Sequence, residues 1–214
     1  MNKKKGFANR KTQAQPAHSE KLRSSEPIAK QSWKPGNVLA PVPVVLVSCG
    51  GAGEFRPNII TISWTGTVCS DPPMLSISVR PERYSHQIIM TSGEFAVNLP
   101  SLAQTRITDW CGVVSGSQFD KFAETGLTAV PASRISCPII MECPVNIECR
   151  VTQRLELGSH HLFLAEVVAV QVSAFLIDDK GKFRIDQAGL IAYGLGHYYP
   201  LGPAIDHFGF SIRK

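Results

Sequence analysis

Residues 71–86, DPPMLSISVRPERYSH, contain the change of pattern that decides both the fold and its candidate site. In residues 75–80, aliphatic side chains alternate with Ser and Arg, so a strand would place the aliphatics on one face and the polar groups on the other. Pro81 ends this strand, and residues 84–91 have the pattern of a short helix that Gly93 closes with a left-handed cap. The stretch therefore predicts a strand-to-helix corner with a polar strand end.

The rest of the chain beyond Pro41 has mostly strand patterns. Two further short helices are predicted, one opened by a capping box at residues 101–104 and one between Asp120 and Gly126. The glycines at 50–53 predict a hairpin turn and not a dinucleotide fingerprint, because no helical period follows them. Many strands with few short helices predict a mainly β, closed or nearly closed antiparallel barrel. The strand patterns lie at residues 41–50, 58–64, 71–80, 94–100, 145–152 and 161–173.

Charge is distributed unevenly along the chain. Residues 1–34 hold nine of the 22 Lys and Arg but only two of the 17 Asp and Glu, so the net charge of +5 comes from this end. The segment is polar and has no apolar period, which predicts a disordered basic tail at residues 1–33 and one domain at residues 34–214. A tail that binds nucleic acid is the alternative, but the acidic balance of the domain favours no nucleic-acid partner.

The six cysteines have no Cys-x-x-Cys spacing, and most stand in apolar runs where Cys behaves as a small hydrophobe. We therefore expect reduced thiols and no metal site. No segment has the length and apolarity of a membrane-spanning helix, and no secretory signal pattern is seen. A cytoplasmic protein without a membrane partner is expected.

The strand-to-helix corner has the side chains of an anion site. Helix N-terminal amides offer oriented donors, and a guanidinium binds two phosphate oxygens at once. The alternative is a surface turn whose arginines pair with Glu82 or Glu94. The candidate phosphate ligands are Ser78, Arg80, Arg83, Tyr84 and Ser85.

A second polar feature precedes the corner. Residues 61–67 alternate so that small hydroxyl residues would share one face, and Gly66 would let the backbone approach a flat ligand closely. This surface suits a stacked ring edged by nitrogen and oxygen atoms. The hydroxyl residues are Thr61, Ser63, Thr65 and Thr67.

Several ordered blocks of the sequence resemble one protein family. The chain is similar, over residues 33–214, to the flavin reductase-like proteins with an FMN-binding split barrel, and most closely to the flavoredoxin-type branch. The blocks are NIITISWTGTVCSDPPMLSISVRPERYSHQII (58–89), GEFAVNLPS (93–101), CGVVSG (111–116), DKF (120–122), VNIECRV (145–151) and LGSHHLFLAEV (157–167).

The resemblance implies a six-stranded antiparallel Greek-key split barrel, a homodimer, and one FMN per subunit near the dimer interface. It implies that Asn58 and residues 61–67 line the flavin ring and that the strand-to-helix corner takes the phosphate. Trp64 would pack against the core or the ring, and Lys121 would neutralise charge on the phosphate or the ring; a surface lysine is the alternative. His160 is the candidate catalytic residue, for proton delivery or for tuning the flavin, and a structural turn histidine is the alternative.

The implied activity is NAD(P)H-dependent reduction of bound flavin, with electrons passed to a flavin, oxygen, a metal complex or a redox protein. In this chemistry the cofactor accepts the hydride, and the protein orients it and stabilises its charge. NADH or NADPH would be the electron donor. The alternative function is a non-enzymatic carrier that keeps its FMN and exchanges electrons with partner proteins.

Overall fold

A seven-stranded antiparallel sheet dominates the computed structural model of the protein, which describes residues 29–212. The chain divides into two units, residues 1–37 and 38–214. In the first unit, residues 29–37 form no helix or strand and are exposed. Most of the predicted tail, residues 1–28, lies outside the described residues, so the division at residue 33 stays a prediction.

The predicted strands and helices of the second unit occur in the predicted order, together with short strands that the sequence patterns did not indicate. The strands are β1 Val42–Pro43, β2 Val45–Cys49, β3 Asn58–Ile62, β4 Thr65–Ser70, β5 Pro73–Val79, β6 Glu94–Leu99, β7 Ala129–Val130, β8 Ile139–Ile140, β9 Val145–Glu156, β10 His161–Val172, β11 Ile191–Gly194 and β12 His197–Pro200. The α-helices are α1 Tyr84–Ser92, α2 Thr105–Val113 and α3 Lys121–Thr125. Short 3-10 turns lie at Leu102–Gln104, Ala174–Leu176, Ile185–Gln187 and Phe210–Ile212.

The large sheet has the order β3-β2-β6-β9-β10-β5-β4, so its two edge strands are consecutive in sequence. Only Ser63 and Trp64 separate β3 from β4, and the Ser78 amide donates to the Trp64 carbonyl at 2.9 Å. The sheet thereby curves back on itself as a split barrel, which confirms the mainly β fold class. The sheet has seven strands and not six, because after the bend at Ser63 the chain continues as an additional strand, β4, which pairs with β5 while β3 pairs with β2.

The barrel interior is built from the predicted apolar faces. Leu75, Ile77 and Val79 are buried, while the intervening serines of β5 are half-buried, so the alternation read from the sequence holds. Phe95 of β6 and Phe163 of β10 are fully buried in the same cluster. All six cysteines are free thiols, five of them buried, as predicted.

The helix signals also hold. α1 ends at Gly93 with φ 67°, and α3 ends at Gly126 with φ 69°, the left-handed caps that the glycines predicted. The capping box at Ser101 and Gln104 is present ahead of α2. No helix in residues 29–212 is both long and apolar enough to cross a membrane.

Candidate functional site

The strand-to-helix corner and the end of β3 enclose a polar cavity. It has a volume of about 310 Å³ and opens between the bend at Ser63 and the turn that precedes α1. Thr61, Ser63, Trp64, Ser78, Arg80, Arg83 and His160, all predicted site residues, line it together with Ile60, Ile62, Val79 and Tyr193.

A smaller cavity of about 140 Å³ adjoins the first, and Ile60 and Arg83 line both. It lies under the N-terminal turn of α1, whose first amides have no acceptor within the helix. Its lining brings together the predicted residues Asn58, Arg83, Tyr84, Ser85 and Lys121 with Glu82, Cys111, Gly112, Val114, Ser115 and Gly116. We call this the corner cavity and the larger one the ring cavity.

Asn58 is a buried polar residue of the corner cavity whose hydrogen bonding is incomplete. Its Nδ2 donates to Ser85 Oγ at 2.7 Å, but its Oδ1 has no hydrogen-bond partner among the described residues. A buried polar atom without a partner costs about 1–3 kcal/mol, so it marks a place where a ligand donor fits. A Cβ on Gly116 would lie 2.0 Å from this oxygen, so the loop approaches Asn58 as closely as it does because residue 116 is glycine.

Lys121, at the start of α3, is only 2% exposed. Its Nζ donates to the Cys111 carbonyl at 2.6 Å. Burial, with a smaller contribution from the charge of Arg83, lowers the pKa of this ammonium to about 8, although Cys111 opposes the shift. A lysine so placed is a largely desolvated cation in the lining of the corner cavity, where a bound anion would replace the lost hydration.

The two arginines of the corner differ in their partners. Arg80 forms an exposed ion pair with Glu82 at 3.0 Å. For Arg80, this is the pairing expected if the corner were only a surface turn. Glu94, the other predicted partner, pairs instead with Arg150. Arg83 forms no ion pair with any residue of the described chain, and it is the cation shared by both cavities.

His160 lies at the mouth of the ring cavity beside Trp64, with ring centroids 4.4 Å apart at 57°. Ser159 Oγ and His160 Nδ1 are 2.9 Å apart. Burial lowers the pKa of His160, as does Arg80, while Glu82 opposes the shift. The imidazole is therefore mainly neutral at pH 7 and offers one ring nitrogen as a donor and the other as an acceptor.

Three predicted residues do not line these cavities. Thr65, Gly66 and Thr67 lie on β4 and line a separate apolar cavity of about 430 Å³, beyond the bend at Trp64. The expected single hydroxyl face from residue 61 to residue 67 is therefore wrong. Its cause is the break in the alternation at Ser63, which places β3 and β4 at opposite edges of the sheet.

Sequence reasoning did not assign site positions to Tyr193, on β11, or to the loop at 112–116. Tyr193 lines the ring cavity from a strand about 130 residues away in sequence from Thr61, and no local pattern connects them. The loop had a signal, since its block CGVVSG has glycines at positions 112 and 116. A Cβ on Gly112 would lie 3.2 Å from the Thr61 Cβ.

Comparison with known proteins adds an independent line of evidence. A family model described as "Flavin reductase like domain" matches residues 38–185. The chain is similar to the flavoredoxin of Desulfovibrio vulgaris (Miyazaki F), with 30% identity, a TM-score of 0.79, and coverage of 86% of this chain and 99% of that one.

Two further solved structures are similar over the same share of this chain. A flavoredoxin from Methanosarcina acetivorans has 27% identity and a TM-score of 0.76, with 97% of its chain covered. An FMN-binding protein from Thermus thermophilus with bound 1-cyclohex-2-enone has 26% identity and a TM-score of 0.68, with 99% covered. Each match covers 86% of this chain, and the family model begins at residue 38.

Proposed function

Because the chain belongs to the flavin reductase-like family, in its flavoredoxin branch, we propose that it binds FMN and transfers electrons from NADH or NADPH through it. The acceptor is a flavin, a metal complex or a redox protein. We further propose that it works as a cytoplasmic homodimer.

The observation that carries the proposal is the pair of adjoining cavities that share Arg83. One is lined by hydroxyls, an indole and an imidazole, and the other by an unpaired arginine, a buried lysine and a helix N-terminus. A flavin mononucleotide has the same division into a flat ring edged by polar atoms and a dianionic phosphate. The unpartnered Asn58 Oδ1 is an acceptor, so it supports a ligand hydroxyl beside the phosphate in the corner cavity and not the phosphate itself, which only accepts.

The residues then have distinct tasks. Arg83, Lys121 and the first amides of α1 bind the phosphate, Ser85 supplies a hydroxyl to it, and Ser78 offers its hydroxyl from the adjoining ring cavity. Thr61 and Ser63 border the ring with hydroxyl groups, and Trp64 covers it at the cavity mouth. Lys121 is buried and Arg83 is half-buried, and their partial removal from water strengthens their attraction for the anion.

When bound, FMN supplies the hydride-accepting and electron-releasing chemistry. His160, at the mouth of the ring cavity, is the side chain that would hold or deliver a proton there, with Ser159 Oγ in contact with its Nδ1. Arg80 stabilises negative charge at that mouth, within the limits set by its ion pair with Glu82. Tyr193 and Trp64 supply aromatic surface to the lining of the cavity, which limits access of water.

The direct test is an absorption spectrum of the purified protein, followed by anaerobic titration with NADH and with NADPH. We expect a bound flavin spectrum that at least one nicotinamide nucleotide bleaches. A protein that takes up no FMN at micromolar concentration would overturn the proposal.

A second function, a non-enzymatic electron carrier, is favoured by the likeness to two flavoredoxins. It predicts a flavin that stays bound through gel filtration, is not bleached by either nucleotide, and is reduced by a small iron–sulfur protein. The same anaerobic experiment separates the two functions, because only the enzyme consumes the nucleotide.

A further inference from the structure

Two histidines form a direct contact behind the corner cavity. His86 Nε2 and His161 Nδ1 are 2.9 Å apart, and their rings meet edge to face with centroids 4.7 Å apart. His86 is 9% exposed and lies in the first turn of α1, whereas His161 is the first residue of β10. The contact therefore joins the helix that begins at the candidate phosphate site to the strand that begins beside His160.

This contact can exist only in certain protonation states. One ring nitrogen must carry the proton and the other must accept it, so at least one imidazole must be neutral. When both rings are protonated, both facing nitrogens are donors and the two positive charges repel each other. The pair therefore holds only one proton between the two nitrogens in contact.

Both apolar and charged side chains surround the histidine pair. Phe163 of β10 packs against His86 with ring centroids 5.5 Å apart. Glu82 and Arg154 carry the charges that act on His86, and Arg154 itself pairs with Glu156, the register partner of His161 on β9. The register partner of His161 on β5, Val79, is apolar.

The pair is connected to the corner cavity through the backbone of α1. The His86 amide donates to the Arg83 carbonyl at 2.8 Å, which closes the turn that carries Tyr84 and Ser85. His86 follows Ser85 directly, and Ser85 accepts from the buried Asn58. Movement of His86 away from β10 would therefore displace the amides and hydroxyl that border the cavity.

We propose that His86 and His161 are positioning residues for the FMN phosphate: the neutral pair fixes the first turn of α1 against β10, and acid separates the rings and weakens FMN binding. This inference rests on the proposed function, because the corner cavity must be the phosphate site. It assigns the pair to regulation of that site by pH and not to the redox reaction.

The direction of the pH effect follows from the environment of His86. Burial lowers the pKa of His86, the charges of His161 and Arg154 lower it further, and Glu82 opposes them. A histidine whose pKa is lower in the folded than in the unfolded chain stabilises the fold above its unfolded pKa, near 6.5. That contribution is lost as the pH falls toward the folded pKa, so the effect lies below about pH 6.5.

The test replaces the pair with amides that hydrogen-bond but do not titrate. H86Q places an amide near the position of Nε2, and H161N places one near Nδ1, so the double variant H86Q/H161N keeps the contact. The FMN dissociation constant is measured by flavin fluorescence from about pH 7.5 to about pH 5.5, across the histidine range. The phosphate of FMN also titrates near pH 6, so the contribution of the pair is the difference between the two pH curves.

We expect the dissociation constants of the two proteins to agree within about threefold at pH 7.5. At pH 5.5 the wild-type constant should have risen about threefold to tenfold more than that of the variant, the size of one hydrogen bond. The flavin-free wild type should also lose more thermal stability than the variant over this range. H207N, at an exposed histidine beside Asp206, is the matched control and should follow the wild type.

The outcomes are distinguishable. If FMN binds both proteins with parallel pH curves, the inference is overturned while the proposed function stands. If FMN binds neither protein, the proposed function fails. The inference about the histidine pair also fails if the thermal stabilities of the two flavin-free proteins change with pH in the same way. If the double variant does not fold, hydrogen exchange of the α1 amides in the wild type decides: selective loss of protection in acid supports the inference, and unchanged protection rejects it.

Discussion

The segment from Asn58 to Ser70 borders polar cavities along β3 and an apolar cavity along β4. On the β3 side, the ring and corner cavities are lined by hydroxyls, two arginines, a lysine and a histidine. On the β4 side, a larger cavity of about 430 Å³ is lined by aliphatic residues and prolines, with Thr65 and Thr67 as its hydroxyls. The difference teaches that the clustering of cationic and hydroxyl side chains identifies the candidate site here, and that cavity size does not.

The largest effect that would test this contrast is expected from R83A/S85A. Arg83 is the cation common to both polar cavities, and Ser85 anchors Asn58, so their loss removes charge-assisted contacts worth about 1.5–3 kcal/mol each. We expect the FMN dissociation constant to rise about 100-fold or more, measured by fluorescence titration.

Two controls go with this variant. R106A removes an exposed arginine of α2 and should leave FMN affinity unchanged. R80A removes an arginine already paired with Glu82 and should cost less than about tenfold. If R80A weakens binding as much as R83A/S85A does, the phosphate lies at the mouth of the ring cavity and not in the corner.

Lys121 is expected to give the next largest effect, with opposite signs for binding and stability. The pKa of Lys121, about 8, lies below the ordinary value of 10.5, so the folded chain disfavours the charged form. Between about pH 8 and pH 10.5 the unfolded chain binds this proton more strongly, and the free energy of unfolding therefore rises as the pH increases. K121M should stabilise the flavin-free protein at pH 7 by about 1–2 kcal/mol and weaken FMN binding about tenfold. Chemical denaturation and fluorescence titration measure the two effects.

The pH dependence provides the control for Lys121. Wild-type affinity for FMN should fall above about pH 8, where the lysine loses its proton, and K121M should be flat there, since the phosphate is fully ionised. A wild type with no change between pH 7 and 9 would place Lys121 outside the phosphate site.

These residues also show which parts of the site a sequence can reveal. The corner at Pro81 was predictable because a period-two strand, a proline and a helix cap are local signals. The bend at Ser63 was not, because β3 and β4 are separated by their pairing with β2 and β5, which a single sequence does not encode locally. For the same reason, nothing near Lys121 predicts that its ammonium is buried against the Cys111 carbonyl.

A pair of glycine substitutions compares the β3 side with the β4 side directly. At Gly116 an added Cβ would collide with Asn58 Oδ1 at 2.0 Å, whereas at Gly66, on the apolar cavity, it would meet nothing within 4 Å. G116A should weaken FMN binding about tenfold and lower the free energy of unfolding by about 1–3 kcal/mol. G66A should leave the FMN dissociation constant within about twofold and the free energy of unfolding within about 0.5 kcal/mol of wild type, and a large loss of FMN affinity in G66A would return Thr65–Thr67 to the flavin surface.

The smallest effect on affinity is expected at His160, which lies at the cavity mouth and away from the corner. H160N removes the titrating ring and its contact with Trp64 but leaves Arg83 and Lys121 in place, so the FMN dissociation constant should change by less than about threefold. The midpoint potential of the bound flavin should fall by about 10–30 mV, the equivalent of one lost hydrogen bond to the reduced ring in a two-electron couple. Spectroelectrochemical titration of wild type and H160N, with H197N as an exposed-histidine control, measures this shift. An unchanged potential would mean that His160 is only a structural residue of the turn. A large loss of FMN affinity would mean that the mouth of the ring cavity contributes to FMN binding as strongly as the corner cavity does.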